Sequence, residues 1–283
     1  MRVIAELGSN WRTDDPSKDK ERLLALLGEL ANIGVSALKL QLFKADKLYS
    51  RERGPNLHEK VKWYEFPLDW LPDLATRSLG KLRLWASVFD TETARTAAPY
   101  LDGIKIASGD ITNHHLIGYV AKLASEYNLT LALSTGAAYY GEIDTAFAIA
   151  QGSYNNDVVV FHCVSAYPSR AIEQRLRNID TIRDLLPDGV ILGYSDHTKR
   201  TLPAQLALAR GCSYFEKHFR PEHTTRANPD YKVSVTMKQL DHYIRGLEIA
   251  QHIMGSPRRN LCSAEIIERR MARRGSDGLR PAH

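Results

Sequence analysis

The chain has 283 residues, 43% hydrophobic and 25% charged, with a formal net charge of +5, so it can bury one large core or two small ones. No stretch approaches the roughly 18 apolar residues of a membrane span, and the opening "MRVIAELGSN" turns polar too early for a secretory signal, so a cytoplasmic protein without a membrane partner is expected. Cys163, Cys212 and Cys262 are scattered without a CxxC pair, which excludes a disulfide framework and suits a reducing compartment.

In chain order, eight β-rich runs read as strands: "VIAELG" (3–8), "ALKLQLF" (37–43), "LRLWASVF" (82–89), "GIKIAS" (103–108), "LTLALST" (129–135), "VVVFHC" (158–163), "VILGYS" (190–195) and "YFEKHF" (214–219). Each is followed by a stretch of helical periodicity. In 17–34, Leu23, Leu26, Leu27, Leu30 and Ile33 keep one face apolar, and Gly34 stops the helix. Near-continuous apolar strands alternating with helices predict a parallel sheet covered on both faces. Eight such units in about 250 residues fit a (β/α)8 TIM barrel. An open doubly wound sheet is the alternative, but GxGxxG follows none of the strands. The expected organisation is an α/β barrel over 1–254 and a short basic helical tail over 255–283. That tail carries Arg258, Arg259, Arg269, Arg270, Arg273, Arg274 and Arg280 against Glu265, Glu268 and Asp277, so most of the net charge sits there. A solvated tail, with no nucleic-acid partner, is the expectation.

Barrel active sites lie at the carboxyl ends of the strands. Those ends hold Glu6 and Asn10; Lys39 and Gln41; Ser87 and Asp90; Lys105, Ser108 and Asp110; Ser134 and Thr135; His162, Ser165 and Tyr167; Ser195, Asp196 and His197; and Glu216 and His218. His197 and His218 end neighbouring strands about 5 Å apart. Beside Asp196 and Glu216 they suit a divalent ion such as Mn²⁺ or Zn²⁺; core histidines satisfied by carboxylates are the alternative. Lys39 and Lys105, ringed by serines, suit a phosphate dianion. A Schiff-base lysine or plain salt bridges are the other readings. Glu6 and Glu216 either move a proton at the ion or orient its ligands.

The runs "IAELGSN", "KLQLFKADKL", "WASVFD", "IKIASGDITN", "LSTG", "HCVSAYP", "GYSDHT" and "EKHF" occur in this order across nearly the whole chain. As a set they resemble the sialic acid synthases, with the related legionaminic and pseudaminic acid synthases. The resemblance implies condensation of phosphoenolpyruvate with an N-acetylated aldose, a divalent metal (Mn²⁺ or Mg²⁺), and release of phosphate with a nine-carbon 2-keto acid. It implies metal ligation by His197 and His218, and catalytic work by Glu6, Glu216 and Lys105. Phosphoenolpyruvate binding is implied for Lys39, Ser87, Lys105, Ser108, Ser134, Ser165 and Ser195, and sugar contact for Gln41, Asp110 and Tyr167.

Several positions depart from the family pattern. Asn-His-Asn-Gly usually follows the first strand, whereas Asn10 here precedes Trp11, Arg12 and Thr13. Asp110 stands for the usual glutamate, "NPD" (228–230) for Gly-Pro-Asp, and the stretch 45–63 is compressed. The family typically continues into an antifreeze-protein-like domain that gives a domain-swapped dimer. This chain ends about where that linker starts, so a homodimer, if formed, is expected without the swap. Beside the condensing enzyme, an inactive family scaffold and a Schiff-base barrel aldolase are the competing expectations.

Overall fold

Strands apolar on both faces are stable only when both faces are covered, and in the computed structural model the sheet meets that need by closing on itself. Residues 1–52, 54–154, 156–187 and 190–280 are described. The strands β1 (Arg2–Glu6), β2 (Ala37–Leu42), β3 (Arg83–Val88), β4 (Gly103–Ile106), β5 (Thr130–Ser134), β6 (Val159–Cys163), β7 (Ile191–Asp196) and β8 (Tyr214–Arg220) pair in sequence order. Parallel pairing of β1 with β8 shuts the barrel, and Glu6 lies in register with Lys39 on one side and His218 on the other. The (β/α)8 expectation holds. A two-residue strand, β9 (Val235–Thr236), pairs in parallel with the end of β8 at Phe219 and Arg220.

The helices are α1 (Asp19–Asn32), α2 (Ala45–Leu48), α3 (Pro55–Lys62), α4 (Leu71–Ser78), α5 (Thr91–Ala97), α6 (His114–Glu126), α7 (Tyr140–Gln151), α8 (Asn178–Leu185), α9 (Leu202–Ala209), α10 (Met237–Met254) and α11 (Ser263–Ala272). Helix α1 buries Leu23, Leu26, Leu27 and Leu30 as its spacing predicts, but starts later than 17. Pro16–Lys18 form a 3₁₀ turn, and buried Asp19 accepts the Thr13 hydroxyl at 2.6 Å, pinning that entry. The compressed stretch after β2 folds as α2 and α3. Asp46 holds His58 at 2.8 Å, and Glu65 accepts the Ala45 amide at 2.7 Å.

Alternation along the strands sorts two cores. Outward residues such as Leu38, Leu40, Ala86, Ile104 and Val160 pack under the helices. Inward residues Ile4, Ala37, Trp85, Ala132, Val159, Phe161 and Tyr214 plug the lower barrel. The rings of Trp85 and Phe161 lie 5.9 and 6.3 Å from that of Tyr214. They fit because Gly103 and Gly193 lack side chains: a Cβ at Gly103 would stand 2.2 Å from Trp85, and one at Gly193 2.6 Å from Phe161. Gly103→Ala is therefore expected to cost about 1–3 kcal/mol by overpacking, seen as a lower urea midpoint with an unchanged slope. An unshifted midpoint would show that the plug has slack.

Two compact units divide the chain, residues 1–250 and 251–283. In the second, α11 is capped by Glu265, whose carboxylate accepts the Cys262 amide at 3.0 Å and pairs with Arg259 at 2.7 Å. No helix among the described residues is long and apolar enough to cross a membrane.

Candidate functional site

Above the aromatic plug, the next inward residues are charged. Glu6, Lys39, Lys105 and Glu216 are each at most 3% exposed. Lys39 Nζ lies 2.5 Å from Glu6 and 3.6 Å from Glu216, and donates to Ser87 Oγ at 2.9 Å. Lys105 Nζ reaches both Glu216 oxygens, at 2.9 and 2.8 Å, while standing 4.7 Å over the Phe161 ring. Ser195 donates to Glu216 at 3.0 Å, and Gln41 to Glu6 at 2.8 Å. Burial disfavours charge on Lys39, but Glu216 and Glu6 outweigh it and push its pKa up. Burial likewise opposes ionisation of Glu216, yet Lys105 and Lys39 hold its carboxyl far below the usual carboxylate range. Two full ion pairs thus stand buried inside the barrel. Such pairs add little stability over apolar packing.

One step higher, the rings of His197 and His218 lie 5.4 Å apart. His197 Nδ1 donates to the Val164 carbonyl at 2.7 Å, which leaves Nε2 as the acceptor nitrogen, 3.3 Å from Ser195 Oγ. Burial, then repulsion from His218, lowers the His197 pKa to about 3, so the ring is neutral at ordinary pH. Among the described residues His218 Nδ1 is buried without a hydrogen-bond partner, and a carboxylate oxygen of Asp230 is 4.0 Å away. Tyr167 packs against His197 at 4.3 Å, with its phenol pushed up mainly by burial. Among the described residues, no group of three or more His, Cys, Asp or Glu has metal-holding geometry. The two imidazoles are the donor pair on offer.

On the opposite wall, hydroxyls gather around a thiol. Cys163 Sγ lies 3.1 Å from Ser108 Oγ and 3.3 Å from Ser134 Oγ, and the Gly136 amide donates to Ser108 at 3.1 Å. A Cβ at Gly136 would collide with Ser165 Oγ at 2.2 Å, so this turn has to be backbone alone. Together these walls enclose a cavity of about 460 Å³.

That cavity is lined by Glu6, Lys39, Gln41, Ser87, Lys105, Ser108, Ser134, Ser165, Tyr167, Ser195, His197, Glu216 and His218, so thirteen residues expected at the site from sequence come together. Asp110 does not line it. The 3₁₀ turn Ser108–Asp110 takes its carboxylate to Asn113, 3.4 Å away, and burial raises its pKa. Asp196 is not beside the imidazoles either: it points to the outer face and pairs with Lys217 at 2.9 Å. Four more polar strand ends serve the fold. Asn10 donates to Phe219 O at 2.9 Å, Asp90 caps α5 through the Thr93 amide, Thr135 donates to Phe161 O at 3.1 Å, and His162 bonds Gln174 O at 2.7 Å.

Asp230 is a cavity residue that sequence reasoning missed. It accepts the Ser9 amide at 2.6 Å and the Ser9 hydroxyl at 2.7 Å, and a Cβ at Gly8 would lie 2.3 Å from its carboxylate. The segment "NPD" was the available signal. Beside it, Trp11 packs at 5.1 Å from Phe66 and 5.6 Å from Trp70, and Arg12 lies 4.4 Å from the Trp63 ring. The turn after β1 is thus an aromatic buttress here.

The NeuB family matches the chain over residues 26–259. Spore coat polysaccharide biosynthesis protein SpsE of Bacillus subtilis is 28% identical across 96% of this chain and 77% of that protein. The N,N'-diacetyllegionaminic acid synthase of Legionella pneumophila is 28% identical across 96% of this chain and 78% of its own length. A crystal structure of N-acetylneuraminic acid (sialic acid) synthetase from Leptospira borgpetersenii, in complex with citrate, is similar with a TM-score of 0.82. It is 28% identical, and the match covers 96% of this chain and 92% of that one.

Proposed function

The chain belongs to the NeuB family, and from that premise we propose that it joins phosphoenolpyruvate to an N-acetylated aldose, giving a 2-keto-3-deoxy sugar acid of the nonulosonate type and phosphate. The relatives named as legionaminic and sialic acid synthases support this class of reaction. One observation carries it for this chain: Lys39 and Lys105, buried and ion-paired, lie between an aromatic floor and a rim of two imidazoles. A phosphate and a carboxylate on one small molecule need such fixed cations, with hydroxyls and an amide on the far wall to complete their hydrogen bonds.

In the reaction, the methylene carbon of phosphoenolpyruvate bonds to the aldehyde carbon, water adds at C2, and the C2–O bond to phosphate breaks. Lys39 and Lys105 hold the phosphate while charge develops on it. Gln41 and Tyr167, which line the same cavity, are assigned to the aldose in this reading. Glu216, already bound by two ammonium groups and Ser195, is a poor base and a firm anchor. Glu6 carries fewer bonds and is the better candidate to position the water. The residues fit a divalent ion, Mn²⁺ or Mg²⁺, at His197 and His218: one ring is neutral with its tautomer fixed, and the other has an unpartnered nitrogen. Bound there, such an ion supplies a Lewis acid for the aldehyde oxygen.

An imine mechanism needs a neutral amine, whereas Lys39 is driven toward its charged form. An inactive scaffold would have no use for two desolvated ion pairs where apolar packing serves as well. The expected result is phosphate release only when phosphoenolpyruvate, Mn²⁺ or Mg²⁺ and an aldose are all present, with chelator stopping it and mass spectrometry giving the condensed acid. No phosphate across a panel of N-acetylated hexosamines and simple aldoses would overturn the reading.

A further inference from the structure

A second cavity, of about 440 Å³, opens between the turn after β7, strand β9 and the first turns of α10. It shares no lining residue with the cavity over the barrel. Its wall carries Lys199, Arg200, Lys217, Lys238 and Arg245 against one carboxylate, Asp241. Lys238 and Arg245 stand on one face of α10, two turns apart.

The charges do not balance locally. Asp241 is committed to Arg245 at 3.0 Å, and Lys217 to Asp196 at 2.9 Å. Lys199, Arg200 and Lys238 enter no salt bridge among the described residues. Lys199 Nζ donates to the Ser234 carbonyl at 3.0 Å, and the guanidinium of Arg220 donates to the same oxygen. Two cations therefore converge on one neutral acceptor. Beneath them Tyr243 is 2% exposed; among the described residues its hydroxyl has no hydrogen bond of good geometry, although the Asp196 carboxylate is near. Like charges gathered without a counter-charge repel one another, and an anion placed among them gains several charge-assisted hydrogen bonds at once. The volume exceeds that of a bare phosphate and falls in the range of small-molecule sites.

We propose that this cavity binds a phosphate-bearing small molecule at a site separate from the barrel. The wall is the outer side of the strands that carry the imidazoles. Lys217, which lines the cavity, lies between Glu216 and His218 and donates to the Thr198 carbonyl at 2.5 Å.

Calorimetric titration of the full chain tests this, with inorganic phosphate, glucose 6-phosphate and adenosine monophosphate as separate ligands at fixed ionic strength. At least one is expected to bind, and the tightest of the three tells whether free phosphate, a sugar phosphate or a nucleotide is the right class. In K199Q/R200Q/K238Q that affinity is expected to fall at least about tenfold. It should stay in S108A/S165A, which alters the barrel cavity, and in R269Q/R270Q/R273Q, which removes the same charge elsewhere. Binding by none of the three ligands overturns the proposal. So does binding lost in S108A/S165A and kept in K199Q/R200Q/K238Q, or weakened equally by both charge-matched variants.

Discussion

Lys105→Ala is expected to cost about 3–5 kcal/mol of stability and to slow phosphate release about 100- to 1,000-fold or more. The stability loss follows from what is left behind. Glu216 would keep Ser195 at 3.0 Å and the more distant Lys39 at 3.6 Å, but would lose the ammonium that contacts both of its oxygens. The rate loss has a separate origin, because the same ammonium is proposed to hold the phosphate as it leaves. A second variant separates the two effects. Lys105→Met with Glu216→Met removes both charges and fills the space, so it should recover much of the stability and none of the activity. Urea denaturation and a phosphate-release assay read the two quantities independently. A Lys105→Ala protein within about 1 kcal/mol of the parent would mean that the ion pair is not buried as described. A double variant that turned over would remove Lys105 from the chemistry.

Much of this site was legible because barrel chemistry obeys a positional rule and strands obey a parity rule. The eight strand ends could be read off the hydrophobic runs, and most polar residues there do face the cavity. The errors come from not applying parity strictly. In "GYSDHT", Ser195 and His197 point inward, so Asp196 between them has to point outward, where it meets Lys217, itself the outward neighbour of Glu216 and His218. A one-residue step along a strand changes face. Strand parity alone therefore takes Asp196 out of the site. Asp110 was harder: it lies past the end of β4, in a 3₁₀ turn where no simple period says where a side chain goes. Asp230 was harder still, because it comes within 4.0 Å of His218 from a 3₁₀ turn beyond β8 and is placed by long-range bonds to Ser9. Cys163 was counted with the scattered thiols, yet inward parity on β6 sets it among the serines. Loop geometry and tertiary pairing carry no local signature, and those are the parts the sequence left unread.

His197→Ala and His218→Ala are each expected to reduce phosphate release about 100- to 10,000-fold, and the double variant to be no worse than the more damaged single. The two rings lie 5.4 Å apart, and with the proposed ion held between them, removing either dismantles the same unit. Stability should respond differently at the two positions. His197 loses a bond to the Val164 carbonyl and its packing with Tyr167, a cost of about 1–2 kcal/mol. His218 carries a buried nitrogen with no partner, so its removal relieves a desolvated group even as it opens a small space. Rate measured against added Mn²⁺, together with metal retained after dialysis, distinguishes ligation from packing. Ligands predict that both singles lose retained metal and that their rates cannot be rescued by moderate Mn²⁺. Independent residues predict that the double variant multiplies the two losses, and that outcome would refute a shared ion at the barrel rim.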